Sequence, residues 1–316
     1  MSELLQYAIG TSSYLFDEEG LMKTATKSNL TKELEKHLHE ESLRTLPATP
    51  VITGNIVEVM ANLKKIRANA KEVKTFVKFV HNFLTFVKKA ASGASRIDLV
   101  FDSYIERTIK DSVRQKRANT HAIELNKIER TKPLPKQMDT FWPSAKNKAR
   151  LERLIHEDAM LYPLNECTSN LLVSAFDQTD GDSLLSFNLA EGLVTPVPDL
   201  DRKIEEADLK MILHALHTAE SGIKRFIIVS QDTDVLVLCL YNWMRFESCG
   251  IGELWITASI GDSSRFIPVH ALAVILEEST CSVLPAVHTL TEFDYISKVG
   301  AKLAALKAKP KFAKHF

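Results

Sequence analysis

The stretch Phe226 to Leu240 (FIIVSQDTDVLVLCL) constrains the fold more than any other part of the chain. Two apolar runs, rich in β-branched residues, flank Ser230-Gln231-Asp232-Thr233-Asp234. Runs of that kind predict strands buried on both faces of a sheet. Carboxylates at the carboxyl end of such a strand fall in the crevice where open α/β sheets hold their ligands. A buried, ionised carboxylate is costly unless a positive charge meets it. The loop contains no Lys or Arg, so a divalent cation is a natural partner for Asp232 and Asp234. The plainer alternative is a polar turn between two strands.

The same alternation recurs upstream. Pro47 and Pro50 frame Val51-Ile52, a brief apolar run closed by Gly54, which predicts a first strand. Ile56, Val59, Met60, Leu63 and Ile66 follow at helical spacing, and Val73, Phe76, Val77, Val80, Leu84 and Val87 repeat the signal over 72–88. Arg96 to Asp102 reads as a strand ending in an acid. Strand, helices, strand argues for a parallel sheet. Further strands are expected over 171–176, 226–240 and Glu253 to Ala258, and the cleanest helix over 203–220. Residues 1–46, with Lys and Glu interleaved from Thr31 to Glu41, predict a polar extension carrying one short solvated helix. No linker is visible after residue 47, which favours one large α/β domain.

Composition narrows the function classes. With 45% hydrophobic and 25% charged residues the chain has an ordinary globular make-up, and its net charge of +0 gives no global field to steer it onto polyanions. Nucleic-acid affinity would need a local patch, and 107–150 supplies one, from Arg107 and Lys110 through Lys148 and Arg150. Cys167, Cys239, Cys249 and Cys281 form no CxxC pair, as expected of reduced thiols in an intracellular protein, nuclear or cytoplasmic. No apolar stretch is long enough to span a bilayer, so no membrane partner is expected.

The acids recur at strand ends and helix starts: Asp102, Glu206 with Asp208, and Asp232 with Asp234, with Asp294 as a further candidate. Asp208 lies on the apolar stripe of its helix, where a charge is seldom accidental. Glu206 is two residues away and shares a site with Asp208 only if both sit in an irregular first turn, which Asp199 or Asp201 could cap. Clustered carboxylates suit Mg²⁺ or Mn²⁺, and two such ions can stabilise both oxygens of a phosphodiester displacement. No Walker loop, dinucleotide fingerprint or nucleophile elbow competes with that reading. His270 and His288 read as packing histidines; His214 and His217 could face one another but lack a third soft ligand.

In this order the motifs resemble the PIN-like nuclease superfamily, in its flap-endonuclease and 5′-exonuclease branch. More closely, the chain is similar to uncharacterised, transposon-associated animal proteins. The resemblance rests on Asp98 to Tyr104, Ser112 to Arg117, Glu205 to Asp208, Gln231 to Leu238, Ile267 to His270 and Leu284 to Thr291. It implies a Rossmann-like three-layer α/β fold over 47–308, with a central, mainly parallel twisted sheet. It also implies a basic helical arch over about 105–150, a C-terminal helical hairpin over 294–308, and a basic tail over 309–316. Asp102, Glu206, Asp208, Asp232, Asp234 and Asp294 match acidic metal positions for one or two Mg²⁺ or Mn²⁺ ions. Lys110 and Arg114, on the arch, would offset transition-state charge. Arg117, Lys298, Gly300 and Lys302 would contact nucleic-acid backbone, DNA being favoured over RNA.

Two positions depart from the family pattern. Thr53, in Val51-Ile52-Thr53-Gly54-Asn55, stands where the first metal acid belongs, and Glu292-Phe293-Asp294 replaces the usual glycine-containing turn before the hairpin. The sequence therefore leaves open a metal-dependent phosphodiesterase, a catalytically inactive PIN-like domain that binds nucleic acid or protein partners, and a relic whose acids form an ion-pair network.

Overall fold

The computed structural model describes residues 28–39, 46–47, 51–65, 73–91, 93–102, 123–161, 170–173, 186–190, 193–201, 204, 206–257 and 265–292. In chain order its elements are α1 (Ser28–Glu35), β1 (Thr53–Glu58), α2 (Val59–Lys65), α3 (Phe76–Ala90), β2 (Arg96–Val100), α4 (Ala145–Leu161), β3 (Asn170–Val173), β4 (Phe187–Ala190) and β5 (Leu193–Pro196). Then come α5 (Ala207–Ala219), β6 (Arg225–Val229), α6 (Thr233–Tyr241), α7 (Trp243–Ser248), β7 (Glu253–Thr257), β8 (Phe266–Pro268), α8 (Val269–Leu276) and α9 (Glu278–Glu292).

The strands form one sheet in the order β5-β4-β3-β2-β1-β6-β7-β8. The five from β3 to β7 in that order are mutually parallel, and antiparallel strands finish both edges. The fold is therefore α/β with a mostly parallel central sheet, compatible with a Rossmann-like three-layer arrangement. Alternate strand residues feed two cores. Val57, Leu99 and Ile227 meet the large side chains of α3 and α4, among them Phe76, Phe79, Phe83 and Leu151. Ile56, Val100, Phe226 and Ile228 meet α1, α5, α6, α8 and α9. Each fully buried side chain of this size contributes roughly 1.5–3 kcal/mol. β1 lies between β2 and β6, so the chain winds outward from it in both directions. A ligand crevice is expected where the strand order reverses, at the carboxyl ends of β1 and its neighbours.

Several sequence expectations are corrected. The second half of 226–240 is not a strand: Val235 to Leu240 belong to α6. Most of its apolar residues are buried because α6 packs among α1, α5, α8 and α9, and a helix that is apolar over most of its surface is a buried one. The first strand is Thr53–Glu58, so Ile56 is in β1 and the helix begins at Val59. Periods of 2 and 3.6 agree over so short a run, and Ile56 and Val57 are buried on opposite faces of the sheet.

The helix expected to be solvated is docked. Leu30 and Leu34 of α1 are 2% and 1% exposed against the second core. The expected arch over 105–150 is also partly revised. Residues 123–137 run as a strap along the start of α3, with Phe76 and Val77 donating to the Lys132 and Arg130 carbonyls. Leu125, Ile128 and Leu134 pack onto the first core, and 145–150 open α4. Residues 105–122 of that expectation, the hairpin over 294–308 and the tail over 309–316 lie outside the described residues. Among the described residues no single helix is long and apolar enough to cross a membrane. Cys239, Cys249 and Cys281 are free thiols.

Candidate functional site

Three parallel strands deliver acids to one edge of the sheet. β1 ends at Glu58, whose register partner is Val100 of β2, while Val57 is paired with Val229 of β6. Asp102 follows β2 by two residues and Asp232 follows β6 by three. Flush strand ends thus place Glu58, Asp102 and Asp232 at the same crevice.

Two helices complete the set. Asp232 is the N-cap of α6, its side chain accepting from the Asp234 amide at 3.0 Å. This is the ordinary reason for an Asp at that position, and it also turns the carboxylate toward the first turn, where Asp234 sits. Asp208 lies in the first turn of α5. Asp102 Oδ1 accepts from the Ala207 amide at 3.1 Å and so ties the end of β2 to the start of α5. Ser230 joins the other strands: its hydroxyl donates to Glu58 Oε2 at 2.8 Å and accepts from the Asp232 amide at 3.1 Å.

One ligand oxygen from each of Asp208, Asp232 and Asp234 lies within 4.8 Å of the others. Crowding of this kind has an electrostatic signature. Burial, and then the carboxylates of Asp232, Glu58, Asp102 and Asp234, push the Asp208 pKa up to about 8. None of the charges acting most strongly on it is positive. Asp98 is the contrasting case. Burial also opposes its charge, but Arg96 and His214 outweigh that effect and hold it below the ordinary carboxylate range. Arg96 donates to both Asp98 oxygens at 2.6 and 2.8 Å, and His214 Nδ1 lies 2.8 Å from one of them. The Asp98 charge is answered by Arg96 and His214, whereas Asp208 is acted on chiefly by other carboxylates, and the Asp208, Asp232 and Asp234 oxygens could hold a metal ion. An all-oxygen donor set fits a hard cation better than a soft one.

The candidates drawn from the sequence divide accordingly. Asp208, Asp232 and Asp234 come together, and Asp102 joins them electrostatically. Glu206 does not. It is the N-cap of α5, with extended backbone, and is not among the carboxylates that crowd Asp208. Asp201 does not cap that helix either; its side chain accepts from the Ser186 amide at 2.6 Å. Lys110, Arg114, Arg117, Asp294, Lys298, Gly300 and Lys302 lie outside the described residues.

Thr53 is at the wrong end of β1. It is paired with Arg225 at the amino edge, about 17 Å along the strand from Glu58. The acid at the end of the opening strand is therefore present, as Glu58. Its signal in the sequence is Ile56-Val57-Glu58, an apolar pair closed by an acid, masked by the helical pattern that overlaps it.

Two further residues carry no clear signal in the sequence. His288 is buried as a packing histidine is, and in addition its Nε2 meets Asp234 Oδ1. Lys210, 3% exposed on α5, donates to the Phe101 carbonyl at 2.9 Å and brings a cation to the same end of β2. His270 does pack as expected, between Trp243 and Trp255 with Nδ1 at the Leu254 backbone. His214 and His217 turn to Asp98 and Arg96 and not to each other.

A cleft of about 430 Å³ lies elsewhere. It is at the far end of α6, lined by Leu240, Tyr241, Trp243, Met244, Ala273 and Cys281 among others. Its lining is mixed, with Asn242, Arg245, Glu278 and Ser282 beside the apolar side chains, and it does not gather carboxylates as the acidic crevice does, so the crevice is the better candidate. Comparisons of the chain with protein-family models, with curated proteins and with solved structures return no match.

Proposed function

We propose that this protein is a PIN-like, divalent-metal-dependent nuclease that hydrolyses phosphodiester bonds in nucleic acid, with DNA favoured over RNA. The observation carrying this reading is the convergence of Glu58, Asp102, Asp208, Asp232 and Asp234 at the carboxyl edge of β1, β2 and β6. These residues would hold one or two Mg²⁺ or Mn²⁺ ions, which supply Lewis-acid stabilisation of charge on the phosphate oxygens. The carboxylates fix where the cation sits, and their summed charge keeps a polyanionic substrate from approaching unless that cation is present.

Support for a nucleic-acid substrate comes from the strap over 123–137. It runs along the start of α3, where the Phe76 and Val77 amides donate to its Lys132 and Arg130 carbonyls. Lys136 is exposed there, as is Lys127, which pairs with Glu129 at 3.2 Å, and an exposed lysine such as Lys136 suits a backbone phosphate.

The test is cleavage of single-stranded and flap-bearing oligonucleotides in Mg²⁺ or Mn²⁺, with and without EDTA. Asp232→Ala combined with Asp234→Ala should lower the rate by about 100-fold or more, the scale of an ion's contribution. Metal-dependent cleavage that survives the double substitution overturns the assignment. Salt-sensitive binding with no cleavage in either metal would instead favour an inactive nucleic-acid-binding domain.

A further inference from the structure

The imidazole of His288 reaches the acidic crevice from an element the site does not otherwise use. α9 packs along α6, and Cys281, Leu284, Val287 and His288 make up its buried side. His288 itself is 6% exposed. A position needed only to fill that seam would be apolar. Here its Nε2 meets Asp234 Oδ1. A carboxylate oxygen only accepts, so Nε2 carries the proton and Nε2–H donates.

We infer that His288 is a positioning residue of the metal site. Resting on the nuclease reading above, this assigns His288 the orientation of the Asp234 carboxylate. Each half of the Asp232–Asp234 pair is then held by a separate donor. The Asp234 amide, 3.0 Å from Asp232 Oδ1, orients the first, and the His288 imidazole orients the second. With both fixed, one oxygen from each of Asp208, Asp232 and Asp234 stays within 4.8 Å of the others before any cation arrives. Outer partners that orient ligands in this way typically account for about 10–100-fold in metal affinity.

The experiment is a Mn²⁺ titration of the full chain for wild type, His288→Leu and His288→Gln, alongside melting temperatures in EDTA. Leu fills the seam without a donor, whereas the Gln side-chain amide restores an N–H at similar reach. His288→Leu should bind Mn²⁺ about 10–100-fold more weakly, with His288→Gln within about threefold of wild type. Wild-type affinity in His288→Leu, or equal losses in both variants, overturns the positioning role while leaving the metal site intact. Wild-type protein that binds no Mn²⁺ removes the site itself, and the inference with it. Should His288→Leu fail to fold, His288→Asn replaces it, since its shorter amide falls short of Asp234. Asn as tight as Gln would then refute the role.

Discussion

Asp98 and Asp208 show how neighbours set the behaviour of two aspartates in one fold. Burial opposes the charge of both. Asp98 has Arg96 and His214 against it, so its ionised form is the stable one. Asp208 faces four carboxylates, so its neutral form is favoured up to about pH 8. The consequence for stability has a definite sign. The ordinary value of Asp208 is 3.8, so between about pH 4 and pH 8 the folded chain holds a proton that the unfolded chain has released. Metal-free protein therefore loses stability as pH rises through that window. Asp208→Asn removes the charge. In EDTA its stabilising effect should grow by about 1–3 kcal/mol between about pH 5 and pH 9, less than the full ~1.36 kcal/mol per unit because solvent reaches the rim. Urea denaturation at the two pH values measures this. A gain that does not change with pH would mean the neighbouring carboxylates do not act on Asp208. With Mn²⁺ present the same substitution should be a loss.

At the scale of elements, α1 and α6 carry the main lessons. The sequence of α1, SNLTKELE, is polar enough to read as a solvated helix, yet its two leucines are among the most buried side chains in the molecule. They lie four residues apart on one stripe and dock beside α6, where the Thr31 and Thr233 hydroxyls also meet at 3.1 Å. Glu35 is tied to Arg265 across the same surface. Leu34→Ala should therefore destabilise by about 2–5 kcal/mol in chemical denaturation, as core truncations do. A helix merely in solvent would give a change near zero. In α6 local preference is overridden. Val235-Leu236-Val237-Leu238 favours a strand, but the Asp232 cap starts a helix and packing against α1, α5, α8 and α9 stabilises it. Asp232 is thus legible in the sequence as a functional candidate, while its structural role as a cap looks, residue by residue, like a turn.

For the whole molecule, the arrangement amounts to a central parallel sheet whose reversal point is lined by acids from β1, β2, α5 and α6. If those acids await a cation, binding must stabilise the native state by mass action. Mn²⁺ at about 100 times its dissociation constant should add roughly 2.7 kcal/mol, seen as a rise in melting temperature. Asp232→Ala with Asp234→Ala should abolish that rise without abolishing folding. An equal rise in the double variant would place the ion somewhere else.

Residue order alone is enough to read the alternation of strands and helices, the parallel sheet, and the candidacy of Asp102, Asp208, Asp232 and Asp234. Periodicity and the cost of placing charge beside apolar runs are local properties, readable step by step along the chain. Assembly in three dimensions was needed to establish that Glu58, and not Thr53, ends the opening strand at the crevice, that Glu206 stays out of it, and that His288 enters it. Those outcomes depend on strand register and on one helix meeting another across long separations in sequence. Electrostatic repulsion and hydrogen bonding act at a few ångströms, and no local pattern encodes which distant side chains arrive at that range.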